Sequence, residues 1–171
     1  MVSLTTTLLA SLATLALAES AVRSESFSFE KWTEEIIADP SGDHLSPEDA
    51  FKLAMASEHQ AVPHAKRDVS CDQKPSASVS DAVQCINQLA AKGTQECHAS
   101  YGGATVFCTY GKAQVVAVTN KVEGTSSSCQ DVARGLGAIM DQCWRPDNTV
   151  QGQSTAWGNG DMAIHLSEPL I

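Results

Sequence analysis

The sequence predicts a disulfide-stapled α+β domain, with two helices packed on an antiparallel sheet of about five strands. Its order is helix, three-stranded meander, helix, hairpin. Three observations carry this expectation. Two segments, Ser78 to Gly93 and Ser126 to Cys143, repeat apolar residues at helical spacing behind serine and aspartate starts. Between and after them, glycine-centred turns separate runs rich in Val, Phe and Tyr. All six cysteines lie between Cys71 and Cys143.

After an arm from Asp72 to Ala77, the first segment reads SVSDAVQCINQLAAKG. Ser78 with Asp81 three residues later is a capping pair, and Gly93 closes the helix. Val79, Ala82, Val83, Ile86, Leu89 and Ala90 fall on one side, whereas Asn87, Gln88 and Lys92 fall elsewhere. Cys85 sits at the edge of that stripe, within reach of a neighbouring strand or arm.

From Thr94 to Thr119, the turns Gly102-Gly103 and Gly111-Lys112 divide residues of high strand propensity into a meander. Counting outward from Gly102-Gly103 sets Cys97 opposite Cys108, one disulfide among the many connectivities that six cysteines allow.

The second helical segment, SSSCQDVARGLGAIMDQC, opens on Ser127 with Gln130 and Ser128 with Asp131. Its buried stripe is Cys129, Val132, Ala133, Leu136, Ile139, Met140 and Cys143. Gly135 and Gly137 cost about 1 kcal/mol each against alanine, which close packing on the sheet would account for. Cys129 and Cys143 stand about 21 Å apart in a continuous helix, against about 7 Å for a disulfide, so each must tie the helix to another element. The tail from Val150 to Leu166 is a hairpin with Gly158-Asn159-Gly160 as its turn and Met162, Ile164 and Leu166 alternating inward.

Upstream of this domain the chain carries addressing and escort. Leu4 to Ala18 is uncharged and mainly apolar, ending in Ala16-Leu17-Ala18, a small-x-small signal-peptidase pattern with the cut after Ala18. It is too short to span a membrane, which takes roughly 20 apolar residues. Residues 19–67 hold ten acids, five bases and no cysteine, and end in His64-Ala65-Lys66-Arg67. They read as a propeptide whose Lys66-Arg67 pair suits a kexin-type protease, leaving a mature domain of residues 68–171. Inside it, Phe27, Phe29, Trp32, Ile36 and Ile37 form one face of a short helix stopped at Asp39-Pro40-Ser41-Gly42, and a second helix starts at Ser46-Pro47. A calcium loop beginning at Asp39 fails, because His44 and Ala50 stand where it needs Gly and Glu.

Eleven Lys and Arg against twenty Asp and Glu give a net charge of −9, which disfavours nucleic-acid partners and polybasic membrane anchoring. The cysteines contain no CxxC pair, so disulfides in an oxidising compartment are expected over zinc or redox chemistry; no metal or cofactor is expected. There is no N-glycosylation sequon and no phosphate-binding glycine loop.

The mature histidines, His98 and His165, read as solvent-facing strand residues. The enzyme alternative uses them with Glu96 as acid and base of a small secreted ribonuclease. Glu123, Asp131, Asp141, Asp147 and Asp161 are further carboxylates near turns or helix ends, with no metal-ligand spacing. Trp144 and Trp157 read as core or rim residues rather than a sugar platform.

With the elements so placed, SVSDAVQCINQLAAKG, TVFCTYGKAQVVAV, SSSCQDVARGLGAIMDQC and VQGQSTAWGNGDMAIHL resemble, in that order, the small cysteine-rich secreted effectors of filamentous fungi. The resemblance is to those with a killer-toxin-like or necrosis-inducing-effector-like α/β sandwich, and it covers most of residues 68–167. Smut killer toxins carry more cysteines and a more basic surface. The resemblance implies a secreted, monomeric, non-enzymatic protein that binds an extracellular or surface component of a host plant or competing microbe. The rival binding role is a protease inhibitor, which needs an exposed rigid loop such as Asn120 to Thr125 or Arg145 to Thr149.

Overall fold

The computed structural model describes residues 27–57, 69–73 and 76–169. The expected processing residues Ala18, Lys66 and Arg67 lie outside them. Four helices are α1 (Phe29–Ala38), α2 (Pro47–Ala56), α3 (Val79–Ala91) and α4 (Cys129–Cys143). The strands are β1 (Ser70–Cys71), β2 (Ala77–Ser78), β3 (Glu96–Ala99), β4 (Thr105–Tyr110), β5 (Ala113–Val118), β6 (Thr125–Ser128), β7 (Thr149–Val150), β8 (Gly152–Ala156) and β9 (Asn159–Ser167).

The main sheet is antiparallel with the order β1-β8-β9-β5-β4, so the α+β class and the number of strands are as expected, with β1 in the sheet in place of β3. Its inner face carries Val115, Ala117, Met162, Ile164 and Leu166, all buried, and α3 and α4 lie across it. The α3 stripe of Val79, Ala82, Val83, Ile86, Leu89 and Ala90 is buried throughout, as is the α4 stripe.

Two details differ from the sequence reading. The meander is a hairpin only: β3 does not join β4 but pairs with β6 in a separate two-stranded sheet, with Cys97 opposite Ser127. Gly102, at φ 83°, thus sits in a corner that turns the chain out of the sheet rather than in a tight hairpin turn. The final hairpin turns at Trp157-Gly158, since Ala156 pairs with Asn159, and Gly158 supplies the left-handed φ of 72°.

The cysteines form three disulfides: Cys71–Cys143, Cys85–Cys108 and Cys97–Cys129, with Cα separations of 5.3, 5.7 and 5.1 Å. This corrects the Cys97–Cys108 expectation, which rested on the absent β3–β4 pairing. A register shift between Val106 and Cys108 accompanies the turn of Cys108 toward α3, where it meets Cys85. Both ends of α4 are bolted, one to β3 and one to β1, each bond contributing about 2–4 kcal/mol by restricting the unfolded chain.

The capping pairs also behave differently. Ser128 accepts from Asp131 N and donates to its carboxylate, closing the start of α4 as read from sequence. Ser78 sits at the α3 cap position but engages Ser80, and Asp81 instead accepts from Lys112 N at 2.8 Å, tying α3 to the β4–β5 turn.

The upstream helices are not appended to this domain; they pack on it. α1 lies against α4 and α3, and α2 against α3, forming a further helical layer. α4 is therefore covered on opposite sides. Gly135 faces the sheet, where a Cβ would collide with Ile164 Cδ1 and stand 2.8 Å from the Thr155 carbonyl oxygen. We expect Gly135→Ala to lower stability by about 1–3 kcal/mol through overpacking against backbone, read as a lower denaturant midpoint; an unchanged midpoint would contradict this placement.

Candidate functional site

The side of α4 turned away from the sheet carries a second stripe: Arg134, Gly137 and Asp141, at i, i+3 and i+7. Each meets α1. A Cβ on Gly137 would stand 2.9 Å from Glu30 Cα and 3.1 Å from Glu30 N, so only glycine allows this approach of the two backbones. The guanidinium of Arg134 forks onto Glu34 at 2.7 and 2.9 Å and also reaches Asp131 at 2.6 Å. These carboxylates, Glu34 foremost, raise its pKa further above the ordinary arginine value.

Asp141 is fully buried. Its carboxylate accepts from Ser28 Oγ at 2.7 Å, Phe29 N at 2.7 Å and Glu30 N at 3.1 Å. An acid in the last turn of α4 opposes that helix's own dipole; the first turn of α1 supplies the opposite partial charge and donors left open at a helix start. Ser28, the N-cap of α1, additionally accepts from Lys31 N at 3.3 Å.

Apolar contacts extend the seat. Phe29, Trp32 and Ile36, at i, i+3 and i+7 of α1, are 0–1% exposed. Burying each contributes roughly 1.5–3 kcal/mol relative to exposure. Trp144, directly after α4, lies 5.8 Å from the Phe29 ring and stacks on Phe51 of α2 at 6.0 Å, filling the rim as its sequence reading proposed. Trp32 Nε1 donates to the Leu45 carbonyl, fixing the turn between α1 and α2, and Gln84 of α3 donates to Glu48.

The structure distributes the other candidates. His98 stands on β3 and His165 on β9, in different sheets. Glu96 stands with His98: Ser126 Oγ donates to Glu96 and lies 2.9 Å from His98 Nδ1. Ser126 thus stands between the Glu96 carboxylate and the His98 ring. The His98 and Glu96 side chains are 47% and 68% exposed.

Asp131 and Asp147 are engaged locally with Ser128 and Thr149, and Asp161 with Lys121 at 3.4 Å. Burial lowers the pKa of His165, with Asp72 opposing that shift. Thr149, chiefly, lowers that of the exposed Asp147. Among the described residues no group of three or more His, Cys, Asp or Glu is placed to hold a metal ion, and no helix is long and apolar enough to cross a membrane.

The two loops considered for protease inhibition differ. Arg145 donates to the Asp72 and Gln73 carbonyls and to the Ser76 and Thr149 hydroxyls, so its loop clamps the arm before β2. In the Asn120 to Thr125 loop, Val122 protrudes, 76% exposed. A cleft of about 440 Å³ beside β1 and β8, lined by Val69, Ser70, Gln153, Ser154, Thr155 and Ala163, contains no titratable side chain.

A family model described as a domain of unknown function, DUF8794, matches residues 66–168. The chain belongs to this family. The DUF8794 domain thus begins at the Lys66-Arg67 pair, contains α3, α4 and every disulfide, and excludes α1 and α2. No curated protein and no solved structure matches the chain.

Two outcomes follow from this geometry. In the full chain, Gly137→Ala should cost about 1–3 kcal/mol by pushing α1 away, whereas in a chain starting at Asp68 it should be neutral or stabilising by up to about 1 kcal/mol through helix propensity. The same sign in both chains would show that Gly137 does not serve the α1 contact. His165 has a folded pKa below its ordinary 6.5, so its contribution is complete above that value and is lost as pH falls through the lowered one. His165→Gln should therefore flatten the fall in Tm between about pH 7 and about pH 5; an unchanged slope would locate the acid sensitivity elsewhere.

Proposed function

We propose that this protein is a secreted, disulfide-stabilised effector or toxin-like protein of a fungus. It is matured by a kexin-type cut after Arg67 and acts outside the producing cell by binding an extracellular or surface component of a host plant or competing microbe. The observation that carries the reading is the seat of α1. A helix from outside the DUF8794 domain, upstream of a dibasic pair, occupies an apolar and charged face of a domain held by three disulfides. A surface that buries Phe29, Trp32 and Ile36 is of the kind used for macromolecular contact, with aromatic anchors in a desolvated pocket. The signal-like stretch ending at Ala18, the cysteine pattern and the resemblance to fungal effectors support the extracellular setting.

The test is secretion followed by challenge. Secreted material should begin at Asp68, and Lys66→Ala with Arg67→Ala should leave a larger secreted species. The oxidised protein, infiltrated into leaf tissue and applied to competing fungi, should cause death or altered immune signalling that reduction and alkylation abolish. Secreted material of unchanged size in the double variant overturns the processing step. Equal responses from native and reduced protein, or none in either system, overturn the binding role.

A further inference from the structure

We propose that cleavage after Arg67 does not open the α3/α4 face, because residues 27–57 remain seated on it as a non-covalent second chain. On this account the face is a receptor site for one amphipathic helix, with the leader as its occupant. The inference rests on the processing reading of Lys66-Arg67 and goes beyond it.

Among the described residues, the contacts that hold α1 run between the leader helices and the disulfide-bonded domain. The domain supplies Asp141 for the first-turn amides, Arg134 for Glu34, and the flat stretch at Gly137 for the α1 backbone. The leader supplies a stripe of Phe29, Trp32 and Ile36 behind the Ser28 cap. Hydrophobic burial, a bidentate ion pair and a carboxylate–N-terminus contact survive cutting of the peptide bond after Arg67, since none of these three is made by it. Cutting removes the effective concentration that the linker provides. Two helices are also delivered together, because Trp32 Nε1 bonds the Leu45 carbonyl and α2 brings Phe51 onto Trp144 and Glu48 onto Gln84.

The face therefore recognises a helix by definite chemistry: aromatic and aliphatic residues at i, i+3 and i+7, a carboxylate five residues after the first of them, and a free N-terminal turn for Asp141. Cleavage would make the leader exchangeable, and a target presenting such a helix would replace it.

The experiment uses the secreted precursor, cut in vitro by a kexin-type protease and passed over a gel-filtration column at micromolar concentration. The leader should co-elute with the disulfide-bonded domain. A fluorescent synthetic peptide of residues 27–57 should exchange into that fraction, and a peptide with Phe29, Trp32 and Ile36 changed to Ser should enter at least tenfold less. Asp141→Ala and Trp32→Ala precursors, cut in the same way, should lose the leader at least tenfold faster. Immediate separation of the wild-type leader from a domain that keeps its disulfides overturns the proposal. Where the protease leaves the chain uncut, the processing reading fails, and a precursor with another protease's recognition sequence in place of residues 62–67 tests retention by itself.

Discussion

The carboxylate of Asp141 is buried near the end of α4, a place where that helix's own field disfavours a negative charge. It is held there by donors from the first turn of a helix more than a hundred residues away in sequence. A buried charge deprived of such donors is costly, so the position of α1 and the identity of residue 141 depend on one another. The other contacts are arranged around this one: Gly137 allows the backbones to close, Arg134 secures the far side of α1 through Glu34, and the Phe29–Trp32–Ile36 stripe excludes water.

That arrangement needs a rigid α4. The helix is fixed at its first residue to β3 and at its last to β1, while Gly135 lets it lie close to β8 and β9. The clamp of Arg145 on the Asp72 to Ser76 arm holds the chain segment next to the Cys71–Cys143 bridge. Sheet, α4 and α1 thus form successive layers, with the disulfides concentrated on the middle one. A domain of about a hundred residues has a modest core, and α1 enlarges it with a tryptophan and a phenylalanine that the family-matched residues do not contain.

Much of this was legible in the sequence where local rules decide. The stripes of α3 and α4, the Ser128–Asp131 cap, the Ser46-Pro47 helix start and the inward alternation of Met162, Ile164 and Leu166 each follow from spacing alone. The β3–β6 pairing was not legible, because strand partners separated by a loop and a hairpin are chosen by tertiary packing, and with it went the Cys97–Cys108 expectation. Asp141 read as an ordinary acid near a helix end. The signal that could have marked it is the second stripe, Arg134, Gly137 and Asp141, which puts a glycine and an acid where a solvent-facing helix surface gains from neither. Sequence correctly placed an apolar face on the first upstream helix but carried no sign of what it covers.

α1 is part of the folded structure, held at its first turn by Asp141. Native-state hydrogen exchange of the uncut chain tests it most directly, through the amides of Phe29 and Glu30 that donate to this carboxylate. These two amides should be protected in the same range as the interior amides of α4. Exchange of both at the rate of an unstructured peptide, while α4 stays protected, would contradict it.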